Sequence, residues 1–269
     1  MTMTAIVLAG GPSDEVSALA PGVANKAFVP IAGITLVART IASLRSSPLV
    51  GRIIVVAPIS THDDPALVAA DERRADGQTM TESLRSGLAG LERDELVLVV
   101  ASDLPILSRA AIDEFVEIAR TRDCDLAYAC LEKRTHLTAY PDVPHTWAHL
   151  RDGSYCGGGL VAMRPRALER LATFLGSLGA ARKSPLRLAA IFGFPTLVRY
   201  AIRQLSLGDA ERRGSALVGI SVAAVASTFA EIAVNIDRAS DVAIAERIVA
   251  KMRPPAKLVS SSCGTNRRA

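Results

Sequence analysis

Aromatic side chains are scarce in this sequence: they make up 4% of its 269 residues, with one tryptophan. A buried core must therefore be assembled from Ala, Val, Leu and Ile, which a hydrophobic fraction of 49% supplies in quantity. That length suits one large α/β domain, or one domain with an insertion. Close cysteine pairs are missing as well. Cys124, Cys130, Cys156 and Cys263 lack the spacing of a zinc site or a redox motif, and reduced thiols in a cytoplasmic protein are the expectation. The first eleven residues lack the basic start of a secretory leader and run directly into a patterned strand. No stretch reaches the roughly 20 apolar residues of a membrane-spanning helix: the longest uncharged run, 214–230, is broken by Gly219, Ser221 and Ser227. A net charge of +4 with scattered bases excludes a nucleic-acid stripe and suits a small anionic substrate. Neither an internal repeat nor a low-complexity tract is visible.

What is present is an alternation of short apolar runs and helical periodicity. Apolar residues 5–9 stop at Gly10-Gly11, as a buried strand does. Leu36, Val37, Ile41 and Leu44 then recur at helical spacing, and the β-branched run 52–57 ends at Pro58, so that strand, helix and strand form a right-handed βαβ unit. Polar residues 60–77 read as a short helix, a weak strand and a loop. Thr79 with Glu82 in the capping-box position opens a helix through Leu88 and Leu91, with Thr81 as a second candidate cap. Further strands are expected at 95–101, 125–130, 160–163, 218–225 and 232–237, with helices at 108–121, 165–178 and from Ala239. Residues 182–213 read as a helical hairpin, most simply packed on the core. Dimerisation, a lid over an acceptor and contact with a membrane surface stay open as other readings. The expected organisation is one domain over 1–251, with 182–213 inserted, and a tail over 252–269.

Several residues carry chemistry. Backbone N–H groups at Gly10 and Gly11 can approach an anion closely, and Lys26 can neutralise phosphate charge; a plain turn with a solvated lysine is the alternative. Asp103 ends a central strand, where open α/β sheets bind ligands, and Pro105 fixes the chain beside it. A carboxylate there can hold Mg²⁺, or it can cap the next helix in competition with Ser108. Asp237 also ends an expected strand, and Ser240 or Asp241 is free to cap the helix after it. The turn from Gly77 to Ser83 could hold a nucleobase. Gly157, Gly158 and Gly159 imply close approach of a ligand or of another backbone, or a bulge. His145 and His149 are four apart, but Pro144 and a missing third ligand point to surface histidines.

Taken together, Leu8-Ala9-Gly10-Gly11 with Lys26, Asp103-Leu104-Pro105 and Asn235-Ile236-Asp237 resemble the nucleotidyltransferase superfamily, in particular the molybdenum cofactor guanylyltransferase-like NTP transferases and the sugar and alditol phosphate cytidylyltransferases. The resemblance implies a three-layer Rossmann-like fold of GT-A type: a mostly parallel sheet with helices on both faces, plus the helical insertion. It implies that Leu8, Ala9, Gly10 and Gly11 form the nucleotide-binding turn, that Lys26 contacts phosphates, and that Asp103 and Asp237 bind Mg²⁺. Gly77 to Ser83 would read the base and Gly157 to Gly159 would lie at the acceptor. It further implies transfer of a nucleotidyl group from a nucleoside triphosphate to a phosphorylated small molecule with release of pyrophosphate. A GT-A glycosyltransferase and a non-catalytic nucleotide-binding module are the rival readings. The sequence departs from the family in the loop from Pro12 to Asn25, which is longer than usual and has no arginine, with Asp14 and Glu15 standing there instead; either an arginine from elsewhere, such as Arg151 or Arg182, substitutes, or activity is altered.

Overall fold

The computed structural model describes residues 2–181 and 191–252. Its frame is a sheet whose central strand, β1 (Met3–Leu8), pairs in parallel with both β4 (Val50–Ala57) and β6 (Val97–Ala101). The small β2 (Pro30–Ile31) and β3 (Ile34–Thr35) form a separate two-stranded ribbon. Outward from β4 lies β5 (Glu72–Ala75). On the other side β6 is followed by β9 (Gly153–Met163), β7 (Leu126–Glu132) and β10 (Val222–Ser227), while β8 (Ala148–Leu150) folds back on β9. β9 runs antiparallel to both of its neighbours in the row, and the other pairs in the row are parallel.

Alternation of side chains along these buried strands separates two cores. Ala5, Val7, Ile53, Val55, Leu98 and Val100 pack against Val37, Ile41 and Leu44 of α1 (Leu36–Ser46) and Ile112, Phe115 and Val116 of α3 (Arg109–Thr121). Ile6, Ile54, Val56, Val97 and Val99 pack on the opposite face against Leu84 and Leu88 of α2 (Met80–Leu88) and Leu168, which starts the helix Leu168–Ala181. The result is the expected α/β arrangement with helices on both faces. A third cluster joins Val16, Val29 and Ile31 to Ile236, Ala245 and Val249, tying the loop after β1 to the helix Ala239–Met252.

The second core is tight at Gly87, where an added Cβ would lie 2.7 Å from Ile6 Cγ2 and 3.0 Å from Val56 Cγ2. Gly87→Val should therefore destabilise the protein by about 1–3 kcal/mol despite the better helix propensity of valine. A denaturation midpoint equal to the parent's would refute that packing.

Three expectations change. Residues 232–237 are not a strand: Ala230–Ala233 is a short 3₁₀ turn, and the Ile236 N–H donates to the Asp103 carbonyl at 3.1 Å instead of joining a ladder. The run is apolar because Ile232, Ala233, Val234 and Ile236 are all buried, which periodicity alone does not distinguish from a strand. The strand placed at 218–225 starts at Val222, because Ser206 and Asp209 cap a helix Leu207–Val218 that ends on Gly219 in the left-handed conformation, φ 74°. Of the hairpin 182–213, residues 182–190 lie outside the described residues, as does the tail from 253. The helix Phe194–Ala201 buries none of its residues, and Phe194 is 72% exposed, so its apolar side is not packed on the core. Among the described residues no helix is long and apolar enough to cross a membrane.

Candidate active site

β1 ends between its two parallel neighbours, and the chain turns at Gly10 and Gly11. Gly11 has φ 112°, a conformation that side chains with Cβ rarely adopt, and its N–H donates to Asp76 Oδ2 at 3.1 Å. At Gly10 a Cβ would stand 2.5 Å from that of Asp76. The glycine turn thus touches the segment leading into α2. There the Gly77 N–H donates to Ser83 Oγ at 3.0 Å, and Thr79 and Glu82 form the expected capping box, each bond 3.2 Å. A Cβ on Gly77 would collide with Glu82 Cβ. The fold therefore brings Gly10, Gly11, Gly77 and Ser83 to one end of the sheet.

The loop from Pro12 to Asn25 is held by its own acidic residues. Asp14 Oδ1 accepts the N–H groups of Val16 and Ser17, and Glu15 Oε1 accepts that of Ala239. Asn25 closes the loop and is 1% exposed. Its Nδ2 donates to the carbonyls of Ala9 at 2.9 Å and Gly11 at 3.3 Å, and its Oδ1 accepts the Ala27 N–H at 2.9 Å, capping the 3₁₀ turn Lys26–Phe28. This one side chain fixes Lys26 relative to the glycine turn.

Lys26 reaches across to the end of β6. Its Nζ donates to Asp103 Oδ2 at 2.6 Å, to the Ile236 carbonyl at 3.1 Å and to Asp237 Oδ1 at 3.3 Å. Asp103 is not a helix cap: Ser108 Oγ accepts the Ala111 N–H at 3.1 Å and caps α3. Asp241 Oδ2 accepts the N–H groups of Asp237 and Arg238 at 3.0 and 2.8 Å, which leaves the Asp237 carboxylate to Lys26 and Asn235. Burial pushes the Asp103 carboxyl above the ordinary carboxylate range, Lys26 pulls it down, and the negative charge of Asp237 adds to the rise. Burial also disfavours the Lys26 ammonium, but Asp103 and then Asp237 outweigh it and raise Lys26 above its usual value.

Among the described residues no three His, Cys, Asp or Glu side chains converge as an all-protein metal centre. Mg²⁺ does not need one, since it is held through one or two carboxylates with substrate phosphates and water completing its shell. Asp103 and Asp237, two hard oxygen donors that both reach the Lys26 ammonium, fit that donor set.

Beyond Asp237 opens a cavity of about 500 Å³ lined by Tyr128, His145, Thr146, Gly157, Asn235 and Arg238, among others. Of the three glycines only Gly157 borders it. Packing accounts for two of them, since an added Cβ would lie 2.9 Å from the buried Ile232 Cδ1 at Gly158 and 2.7 Å from the buried Leu104 Cδ1 at Gly159, whereas at Gly157 it would meet the hydroxyl end of the exposed Tyr128 side chain. A bulge accompanies them, because Tyr128 pairs with Val161 but Cys130 with Gly157. His149 is exposed, whereas His145 is half-buried with its ring centroid 4.5 Å from that of the buried His136. Arg151 lies in the turn between β8 and β9, and Arg182 is outside the described residues. Arg238, which follows Asp237 in sequence, is a basic residue lining this cavity. Asn25, Asp76 and Arg238 escaped the sequence reading, although they adjoin Lys26, Gly77 and Asp237, which it singled out.

A family model described as a MobA-like NTP transferase domain matches residues 5–206. Comparison with curated sequences gives no match. Among solved structures, a hypothetical transferase from Thermus thermophilus is 28% identical, with 90% of this chain and 100% of that one covered and a TM-score of 0.78. A 2-C-methyl-D-erythritol 4-phosphate cytidylyltransferase, also from Thermus thermophilus, is 18% identical, covering 93% and 100%, with a TM-score of 0.54. A CMP:2-keto-3-deoxy-manno-octonic acid synthetase complexed with CTP is 13% identical, covering 93% and 99%, with a TM-score of 0.57. At these lower identities the likeness is one of fold.

Proposed function

Because the chain belongs to the MobA-like NTP transferase family, we propose that it transfers a nucleotidyl group from a nucleoside triphosphate to a small phosphorylated acceptor and releases pyrophosphate. The observation that carries this reading is the meeting of Lys26 with Asp103 and Asp237 beside the glycine turn. An acceptor phosphate oxygen forms a bond to the α-phosphorus as the bond from that phosphorus to the β-phosphate oxygen breaks, and the electron pair leaves with pyrophosphate. The N–H groups of the glycine turn and the Lys26 ammonium orient the polyphosphate and stabilise the charge on the departing group. Asp103 and Asp237 would hold Mg²⁺, which when bound supplies neutralisation of phosphate charge. The cavity at Tyr128, Gly157 and Arg238 receives the acceptor, and holding both reactants in register lowers the entropic part of the barrier.

The test pairs a thermal-shift screen of the four nucleoside triphosphates, each with Mg²⁺, with an assay for pyrophosphate against a pool of small phosphomonoesters. One nucleotide should raise the melting temperature well above the rest, since a ligand at 100 times its Kd adds about 2.7 kcal/mol. A synthetase of like fold solved with CTP, and a cytidylyltransferase beside it, make CTP the first to try. Release of a free nucleoside diphosphate from a nucleotide sugar, without pyrophosphate, would mark glycosyl transfer and sink the proposal.

A further inference from the structure

The three oxygens around Lys26 form a complete seat for one cation, and the cation in it belongs to the chain. Asp103 Oδ2, the Ile236 carbonyl and Asp237 Oδ1 lie 2.6, 3.1 and 3.3 Å from Nζ. Resting on the nucleotidyl-transfer reading above, we propose that Lys26 occupies the place of the divalent ion in the nucleotide-free protein, so that metal enters only together with nucleotide. A divalent ion bound to these carboxylates would stand about 2.0–2.1 Å from their oxygens, against an ammonium already hydrogen-bonded to the same atoms. Like charges cannot share that seat without an anion to draw one of them away.

The structure supplies the route. Lys26 is fixed at its backbone but ends a long unbranched side chain that is 29% exposed. Asn25 bonds both the Lys26–Phe28 turn and the carbonyls of Ala9 and Gly11, so an anion docking on the glycine turn lies on the same anchor as the lysine. A polyphosphate there offers Lys26 new acceptors and frees the two carboxylates. The anion seat is filled from within as well, by Asp76 Oδ2 on the Gly11 N–H. Nucleotide with its metal thus replaces both an internal anion and an internal cation.

The test uses Mn²⁺ as the probe and electron paramagnetic resonance of free Mn²⁺ as the readout, with no turnover required. The parent should bind Mn²⁺ alone at least tenfold more weakly than Lys26→Met, and the gain should disappear in the double variant Lys26→Met with Asp103→Asn. Lys26→Gln serves as a second variant should Lys26→Met fail to give a cooperative melt. Adding CTP or GTP should restore Mn²⁺ binding to the parent. Equal binding of Mn²⁺ alone by parent and both lysine variants, tight or absent, would overturn the proposal. Failure of every nucleotide to bind the parent would remove the nucleotidyl-transfer reading, while the nucleotide-free comparison would still decide what Lys26 does.

Discussion

Asp103→Asn is expected to leave the fold standing and to lower nucleotidyl transfer by about 10²–10³-fold or more, the scale of losing one preorganised electrostatic contact in a reaction that develops charge. The two halves of this prediction have separate causes. The side chain sits in a position 8% exposed, where ionisation is already disfavoured, and a neutral amide of the same shape removes that penalty. Its Oδ1 can still accept from Lys26, and the backbone carbonyl that receives the Ile236 N–H is unaltered. The melting temperature should stay within a few degrees of the parent's. What disappears is the negative charge that holds Lys26 and, in the proposed reaction, the metal. Pyrophosphate release measured beside a thermal melt separates the two effects, and a variant that turns over normally would remove Asp103 from the machinery. Asp237 has a 64% exposed side chain and a longer contact to Lys26, so Asp237→Asn should cost less.

Why so much of this site could be read in the sequence, and where reading failed, follows from how far each signal depends on neighbours. The runs at 5–9, 52–57 and 95–101 are apolar on both faces because each contributes to both cores, and no surface strand would show that pattern. The end of such a strand is where ligands gather, which made Gly10, Gly11 and Asp103 visible. Thr79 and Glu82 were legible because a capping box is a local contact. Residues 232–237 misled because burial alone sets their apolarity, and the backbone bond that decides their shape goes to Asp103, far away in sequence. The glycines at 157–159 showed only that a Cβ is excluded. Whether ligand or protein excludes it depends on Tyr128, Ile232 and Leu104, and those are nonlocal facts. Asp14 and Glu15 stood out only as a departure from the family's arginine, and the backbone N–H groups they accept, one of them on Ala239, are not visible in the sequence.

Asn25→Asp should produce the opposite pattern from Asp103→Asn, losing stability and nucleotide binding together. The amide performs two tasks that a carboxylate cannot combine. Its oxygen accepts the Ala27 N–H, and an aspartate could keep that bond. Its nitrogen donates to the carbonyls of Ala9 and Gly11, and in the variant a second carboxylate oxygen would face those two carbonyl oxygens at a site 1% exposed. Acceptor against acceptor without water costs about 3 kcal/mol, more than the about 1–2 kcal/mol expected of Asn25→Ala, which leaves the carbonyls unpaired but adds no charge. The difference depends on pH in a direction fixed by linkage. Burial raises the folded-state pKa of the new carboxyl above its unfolded value, so the penalty is full above that folded pKa and shrinks as pH falls through it toward the unfolded value. A protonated carboxyl can donate to the Ala9 carbonyl much as the amide does. Urea unfolding of parent, Asn25→Ala and Asn25→Asp between about pH 7 and pH 5 should therefore show the aspartate variant gaining on the alanine variant as the solution is acidified. Parallel curves would mean that Asn25 does not hold the glycine turn through its N–H groups.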